Sequence, residues 1–476
     1  MSKWKKISSI ALATGMVFSM TACDSNSGSK DPSSSPSPTT ETASPSTEPA
    51  GGEVNYAASF NEIKLGDNAD LTANLKFLTN RTDLVDTVYK DYIAKFNEIY
   101  PNITIQYEGS TDYEQDAKVR LTTKDWGQIC MISSAIIDKD ELGNYFESFG
   151  KLSDLDPIYN FADDKEYNGE VYGIPSLGNA RGIVYNKKVF EQAGITEMPK
   201  TPDEFLAALQ QIKDKTDAIP MYSNFSAGWT LGAWDDYING TATGSADFKN
   251  ITMPHMKDPF AKKDDMTGPY AVYYVLYEAT ARGLIEDDPT TSDWESSKPM
   301  INNGEIGTMV LGSWAVTQMQ AAGENAADIG YMPFPITVNG KQYASAGADY
   351  CYAINVNATD EEKLAAKLYI KWLTEESNFA FDQGGIPIVK GAEYPATLEA
   401  FDGIELVTNT PALPGEETLF VDVNTESEVG LEADSNKKAE ILEAALTKSK
   451  TLDEIMADWN AKWSAAQEKL KVEVNQ

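Results

Sequence analysis

The sequence predicts an α/β fold in which doubly wound sheets of parallel strands carry helices on both faces. Short aliphatic runs alternate with segments whose apolar residues recur at the period of a helix, and this alternation is typical of such sheets. The chain has 476 residues, of which 42% are hydrophobic and 10% aromatic. This is enough for one large domain or two ordinary domains with substantial cores.

The first part of the globular body contains three predicted strands separated by two predicted helices. Pro101 ends the first helix, and the strand after it alternates apolar and polar residues. In chain order the pattern predicts strand 75–78, helix 83–99, strand 103–107, helix 113–121 and strand 129–132.

The second part continues the alternation. It has predicted strands over 171–175 and 183–186, and a helix over 187–193 that ends at Gly194. Thr201, Pro202 and Glu204 form the start of a further helix, with Thr201 as N-cap and Glu204 completing a capping box. Later helices are predicted over 270–282, 360–375, 436–447 and 452–470, and 241–265 lacks a strong period and is predicted as a loop-rich insertion.

The N-terminus has the pattern of an export signal. Lysines at positions 3, 5 and 6 precede an apolar stretch that is too short to span a bilayer, and small residues lead up to Cys23. A cysteine at this place resembles the lipobox of bacterial lipoproteins, which implies a signal peptide over 1–22 and acylation of Cys23. An ordinary signal peptide with a chance cysteine is the alternative.

A segment rich in Ser, Thr, Pro and Gly follows the signal. It covers 23–52 and carries too little apolar surface to fold, so we expect a disordered linker. With Cys23 acylated, this linker holds a globular body of residues 53–476 at the outer face of the membrane.

The net charge of the chain is −34, from 39 basic and 73 acidic residues. Such an excess of acids argues against nucleic acid as a partner and against binding to anionic lipid by charge. His255 is the only histidine, which disfavours a histidine-based zinc site and a catalytic triad. We therefore expect no metal and no cofactor.

Two cysteines remain in the globular body. Cys130 and Cys351 both lie in apolar, strand-like runs, which favours buried free thiols. A disulfide between them is the alternative in a protein outside the cytoplasm, because sequence does not give the distance between the two residues.

Four runs of the body resemble the extracellular solute-binding proteins of bacterial ABC importers, in the carbohydrate-binding family that includes maltose-binding protein. They follow the order of that family over most of residues 72–390, whereas 401–435 match its pattern poorly. The runs are Val-Tyr-Gly-Ile-Pro at 171–175, the stretches 184–195 and 199–205, Asn-Gly-Glu-Ile-Gly-Thr-Met-Val-Leu-Gly-Ser-Trp at 303–314, and 347–355 with Gly-Gly-Ile-Pro at 384–387.

The resemblance implies two α/β lobes joined by a hinge of several strands, with the ligand held in the cleft between them. We expect an N-lobe of about 70–183 and 334–388, and a C-lobe of about 184–333 and 389–476. The chain then crosses between the lobes near 183–185, near 329–333 and near 384–389.

A sugar has apolar C–H faces and hydroxyl edges, so its site needs aromatic rings and side chains that form paired hydrogen bonds. In doubly wound lobes such groups follow the carboxyl ends of strands. The candidates chosen by this rule are Asn80, Arg81, Asp112, Tyr113 and Ser133 in the N-lobe, Asn179, Arg181, Asp349 and Tyr350 near the hinge, and Trp229, Trp234, Asp235 and Trp314 in the C-lobe. Ser134 and Asp236 lie beside two of these candidates, and the resemblance implies that Trp314 stacks on a sugar ring.

Five of these candidates also have a structural alternative. Trp229, Trp234 and Trp314 suit the packing of a core as well as a sugar face. Arg181 suits a salt bridge between the lobes, and Asp349 suits a turn or cap.

These patterns predict a monomeric binding protein that captures an oligosaccharide and docks on the permease subunits of an ABC transporter. It catalyses no reaction, and the chain has no phosphate-binding loop of its own. One alternative keeps the fold and binds a peptide, polyol or polyamine. The other is a surface glycoside hydrolase, for which two carboxylates suffice.

Overall fold

The computed structural model describes residues 54–133, 136–431 and 435–475. The predicted signal peptide, Cys23, the linker and Ser134 lie outside the described residues. Within the described ranges, no helix is long and apolar enough to cross a membrane.

The strands form a five-stranded sheet, a six-stranded sheet and a small three-stranded sheet. In chain order they are β1 Ala73–Thr79, β2 Ile103–Gly109, β3 Ile129–Ile132, β4 Gly150–Lys151, β5 Glu166–Tyr167, β6 Glu170–Val171, β7 Ile174–Pro175, β8 Gly178–Asn186, β9 Ile219–Met221, β10 Ile306–Gly312, β11 Ile329–Pro333, β12 Tyr343–Ala348, β13 Cys351–Ile354 and β14 Glu405–Val407.

Helices connect and cover these sheets. They are α1 Thr82–Val85, α2 Val88–Asn97, α3 Tyr113–Leu121, α4 Leu142–Tyr145, α5 Leu152–Leu155, α6 Lys187–Ala193, α7 Pro202–Lys215, α8 Trp229–Gly232, α9 Gly240–Thr243, α10 Pro269–Ala281, α11 Trp294–Asn303, α12 Trp314–Ala321, α13 Asp360–Glu375, α14 Phe379–Asp382, α15 Leu419–Ser427, α16 Ser435–Thr447 and α17 Leu452–Leu470. Single turns of 3₁₀ or π geometry lie between them, among them Ala233–Tyr237 and Phe248–Thr252.

The five-stranded sheet has the order β2-β1-β3-β13-β7. β1 is parallel to β2 and to β3, as the alternation of strands and helices predicts. β13 is antiparallel to β3 and to β7. The sheet is therefore mixed and not purely parallel, because β13 enters it from a much later part of the chain and runs the opposite way.

The six-stranded sheet is built around β8. This long strand is antiparallel to β10, to β11 and to β12, and its first residue also bridges to Ile386. β9 is parallel to β10 on the outer side, and β14 is parallel to β12. The predicted strand 183–186 is thus the second half of a nine-residue strand.

Three hydrophobic cores surround these sheets. One is formed by residues of 58–177 and 351–388 and packs on the five-stranded sheet. A second is formed by residues of 183–336 and 420–466. A third packs around β8, β10 and β12 and includes Phe401. The two-lobed α/β fold is confirmed, while the lobe boundaries given above stay a prediction.

Most predicted helices are present, with differences of a few residues. The predicted helix 83–99 is two helices, because the chain leaves helical geometry at Thr87 between α1 and α2. The side chain of Thr201 caps α7 as predicted, but the Glu204 carboxylate accepts the N–H of Lys200 and does not complete a capping box. Residues 241–265 contain only short helical turns.

The predicted strand 171–175 is split between two sheets. Val171 pairs in the three-stranded sheet, and Ile174 pairs with β13 in the five-stranded sheet. Gly173 lies at the switch, where an added Cβ would come within 2.9 Å of Cys351. Cys130 and Cys351 are both free and buried, which confirms the predicted thiols.

Candidate functional site

A cavity of about 160 Å³ lies where β3, β10 and β12 end and β8 begins. Its walls are made almost entirely of polar or aromatic side chains. The lining residues are Ser133, Asp164, Lys165, Asn179, Arg181, Trp314, Ala348, Asp349 and Tyr350. Six of the thirteen predicted ligand-binding residues are among them.

The backbone of β8 positions Asn179 and Arg181 on this cavity. Ser313, which directly precedes α12, ties β8 to the turn that carries Trp314. Its backbone N–H donates to the carbonyl of Ala180 (3.0 Å), and its hydroxyl accepts the Ala180 N–H (3.2 Å). The same hydroxyl donates to Oδ1 of Asn179 (3.2 Å). Asn179 and Trp314 are therefore held together by one serine.

Arg181 is an ion-paired cation in the cavity wall. Its guanidinium lies 2.8 Å from Oδ2 of Asp236, and its side chain is mostly buried. Burial acts to lower the pKa of Arg181, but the carboxylate of Asp236 outweighs it and raises the pKa above its usual value. Arg181 thus forms a salt bridge and lines the cavity as well, while the assignment of this bridge to the interface between the lobes stays a prediction.

Asp164 and Lys165 form a second ion pair at the cavity. The thiol of Cys351 also donates to Oδ2 of Asp164 (3.5 Å). Burial acts to raise the pKa of Asp164, but the ammonium of Lys165 outweighs it and holds the pKa below its usual value. The two cations that line the cavity are therefore both compensated by carboxylates.

Asp349 and Tyr350 form the turn between β12 and β13. Oδ1 of Asp349 accepts the backbone N–H of Tyr350 (2.8 Å), so the predicted turn role is realised, and both side chains face the cavity. The Tyr350 hydroxyl donates to Oε1 of Glu114 at the start of α3 (2.9 Å). Ser133 donates to the same oxygen (3.3 Å).

Three tryptophans form a group at the edge of the cavity. The ring centroids of Trp229 and Trp314 lie 5.5 Å apart, and Trp294 lies 5.1 Å from Trp229 and 5.6 Å from Trp314. Trp314 lines the cavity, and Trp229 is 48% exposed. The group, which we call the tryptophan cluster, connects the exposed ring of Trp229 with the ring of Trp314 in the cavity wall.

Asn80 and Arg81 follow β1 and lie outside the cavity lining. Arg81 donates to both carboxylate oxygens of Asp83 (2.9 and 2.7 Å) and to Oε1 of Gln383 (2.7 Å). Among the described residues, no donor reaches the buried Oδ1 of Asn80. A buried acceptor without a partner is costly, so this oxygen is suited to a ligand or water hydrogen.

Besides Asn80, Arg81 and Trp229, four further predicted residues lie outside the cavity lining. Asp112 is an exposed residue at the start of α3. The Tyr113 hydroxyl bonds to the backbone of Met131 and Leu78, and its ring packs against Tyr350. Trp234 is 2% exposed and packs on Phe334. Asp235 is fully buried and pairs with Lys438.

Sequence reasoning missed four residues of this region. Asp164 and Lys165 lie in an aperiodic loop whose path to the cavity has no local signal. Trp294 follows the N-cap Asp293, a pattern that indicates a helix start but not the direction of the ring. Glu114 has no sequence signal other than its place in the first turn of α3. Over the described ranges, no group of three or more His, Cys, Asp or Glu side chains is arranged to hold a metal ion.

Comparison with known proteins shows the family. The family model described as bacterial extracellular solute-binding protein matches residues 81–378. The multiple sugar-binding protein of Streptococcus mutans is 23% identical over 378 residues, which is 77% of this chain and 84% of that protein.

Two solved structures are similar over nearly their full length. A manno-oligosaccharide-specific solute-binding protein of Bifidobacterium animalis subsp. lactis, in complex with mannotriose, is 47% identical with a TM-score of 0.84, and the match covers 87% of this chain and 99% of that chain. A binding protein of an ABC transporter from the same organism, in complex with mannobiose, is 47% identical with a TM-score of 0.83 and the same coverage.

Proposed function

The chain belongs to the bacterial extracellular solute-binding proteins, and from this we propose that it captures a manno-oligosaccharide in the cavity for uptake by an ABC importer. Members of the family bind solutes outside the cytoplasm, and this chain has the same extracytoplasmic location. The choice of ligand rests on the two structures at 47% identity, whose bound sugars are mannotriose and mannobiose.

The observation that carries the proposal is the tryptophan cluster beside a hydrogen-bonding cavity. Trp314 and Trp229 offer aromatic faces to the C–H surface of a sugar ring. Asn179, Arg181 and Asp349 offer amide, guanidinium and carboxylate groups to its hydroxyls. An apolar platform with convergent polar groups is the combination that a neutral sugar requires.

The charges of the cavity favour an uncharged ligand. Lys165 is paired with Asp164, and Arg181 is paired with Asp236. A uronic acid needs a cation without a partner, and a polyamine needs carboxylates without partners. A uronic acid therefore has to displace one of these ion pairs. Among the lining residues, Asp349 is the one carboxylate outside them, which is fewer than a polyamine with several ammonium groups requires, so the cavity supports a neutral oligosaccharide over a polyamine.

Capture requires no chemical step. The two lobes close on the sugar about the strands around β8, and the closed protein docks on the permease subunits, whose ATPase is a separate chain. We propose that the protein acts as a monomer and catalyses no reaction. The N-lobe comprises about 70–183 and 334–388, and the C-lobe comprises about 184–333 and 389–476.

A lipid anchor on Cys23 belongs to this proposal. Cys23 lies outside the described residues, and its support is the sequence pattern of residues 1–23. Cys23→Ala is expected to release the protein from the membrane fraction of cells, because no acyl chain remains to hold it. Unchanged membrane fractionation of this variant would contradict the anchor.

A thermal-shift screen of residues 54–476 tests the ligand class. A ligand that binds only the folded state raises Tm with its concentration. We expect mannobiose and mannotriose to raise Tm, and maltose, a uronic-acid disaccharide, a peptide and spermidine to leave it unchanged. A shift from the uronic acid or spermidine, with none from the manno-oligosaccharides, would overturn the proposal.

A further inference from the structure

One carboxylate oxygen outside the cavity holds two hydroxyls that line it. Oε1 of Glu114 accepts from the Tyr350 hydroxyl at 2.9 Å and from the Ser133 hydroxyl at 3.3 Å. Ser133 and Tyr350 both line the cavity, whereas Glu114 is not part of its wall. The two hydroxyls belong to residues that adjoin different strands, since Ser133 follows β3 and Tyr350 precedes β13.

The arrangement fixes which way the two hydroxyls point. A hydroxyl has one proton to donate and two lone pairs that accept, and an ionised carboxylate only accepts. The protons of Ser133 and Tyr350 are therefore directed to Glu114. The Ser133 hydroxyl also contacts the Tyr350 oxygen. Each hydroxyl oxygen has two lone pairs, and those that remain are left to accept hydrogen bonds from the cavity, which Asp349 also lines.

The surroundings of Tyr350 keep this arrangement in place. The ring of Tyr113 packs edge-on against the ring of Tyr350, with centroids 5.7 Å apart. Burial and, to a smaller extent, the charge of Glu114 raise the pKa of Tyr350, so its hydroxyl stays protonated. Glu114 also lies in the first turn of α3, where a helix N-terminus stabilises negative charge.

We propose that Glu114 is a positioning residue of the binding site, which fixes Ser133 and Tyr350 as hydrogen-bond acceptors. The part of the cavity wall that these two residues form then selects ligand groups that donate hydrogen bonds. The free hydroxyls of a sugar are such groups. This inference rests on the proposed capture of a manno-oligosaccharide, and it assigns a function to a residue that never touches the ligand.

Mannotriose titrated calorimetrically into the purified chain is the test. Glu114→Ala frees both hydroxyls and is expected to weaken binding on the order of tenfold, because two acceptors lose their fixed orientation. Glu114→Gln keeps an accepting oxygen and is expected to stay within about threefold of the unmodified chain. Asp116→Asn is the matched control. It alters another carboxylate of α3, which accepts the hydroxyl of Ser110, and is expected to leave the affinity for mannotriose unchanged.

A double-mutant cycle separates positioning from a general loss of structure. In a chain that already carries Ser133→Ala and Tyr350→Phe, Glu114→Ala is expected to weaken binding by less than about twofold, because no hydroxyl remains to be oriented. Equal losses in both backgrounds, or no loss in either, overturn the role of Glu114. If the unmodified chain fails to bind mannotriose, the proposed function is overturned and this inference with it.

Discussion

Lys438 and Asp235 form an ion pair in which Nζ lies 2.7 Å from Oδ2 and neither side chain is exposed to solvent. The hydroxyl of Tyr273 donates to the other oxygen of Asp235 (2.7 Å). Lys438 extends from α16 and Tyr273 from α10, so the pair joins distant parts of the chain inside the C-terminal core. The acid that sequence reasoning assigns to the sugar site is thus bound in the interior.

Asp235→Asn is expected to lower the free energy of unfolding by about 3–5 kcal/mol, because it leaves the ammonium of Lys438 buried without a counter-charge. Urea denaturation measures this change. Glu278→Gln is the control: it removes the more exposed pair with Arg282, which lies on the helix surface, and is expected to cost less than about 1 kcal/mol. If Asp235→Asn instead weakened mannotriose binding and left stability unaltered, Asp235 would belong to the ligand site.

Trp229→Ala is expected to weaken the binding of longer sugars more than the binding of shorter ones. Trp229 is half exposed and packs against Trp314, and only Trp314 lines the cavity. Removing its ring takes away apolar contact area, and we expect a loss of about 1–2 kcal/mol for mannotriose and a smaller loss for mannobiose. Titration of both sugars into the variant and the unmodified chain measures the difference.

Val421→Ala provides the control for Trp229→Ala, because Val421 is a more exposed apolar residue on α15, outside the cavity lining. It is expected to bind both sugars like the unmodified chain. Equal losses for mannobiose and mannotriose in Trp229→Ala would mean that the tryptophan cluster does not extend the site.

Stability is expected to depend on pH through His255. Its Nε2 lies 3.0 Å from Oε2 of Glu416, and its Nδ1 lies 2.8 Å from the carbonyl of Glu473. Burial acts to lower the pKa of His255, but Glu416 and this carbonyl outweigh it and raise the pKa above 6.5. The stabilisation that protonated His255 contributes to the fold is therefore fully present below pH 6.5, and it is lost as pH rises through the higher pKa of the folded state.

Thermal unfolding from pH 6 to pH 9 checks this expectation. The difference in Tm between the unmodified chain and His255→Gln is expected to be largest at the acid end and to shrink as pH rises. A constant difference over the whole range would show that the protonated imidazole does not stabilise the fold.

The elements that sequence reasoning predicts well are those with local signals. Thr201 caps α7 as predicted. Thr359 and Thr451 cap α13 and α17 in the same way, because a hydroxyl and the following backbone N–H groups lie within one turn. Trp314 lines the cavity, and its position follows from local signals because the strand, turn and helix that place it are consecutive in the chain. Such features depend on neighbours that the sequence itself supplies.

The features that sequence reasoning misses depend on packing between segments that are distant in the chain. Trp229 and Trp234 are five residues apart in similar surroundings, yet Trp229 is exposed and Trp234 is buried against Phe334. Likewise, Lys165 reaches the cavity only because its loop packs against the strand that carries Cys351. No local pattern separates these cases, since the partner that decides each of them lies a hundred or more residues away along the chain.

Sugar capture at the cavity is tested by calorimetric titration of mannotriose into the unmodified chain and into Trp314→Ala. We expect saturable one-to-one binding to the unmodified chain. We expect Trp314→Ala, with its fold intact, to bind at least about thirtyfold more weakly, because a central aromatic contact is worth about 2 kcal/mol or more. Absence of binding to the unmodified chain, or equal affinity in the variant, would contradict the capture of a manno-oligosaccharide at this cavity.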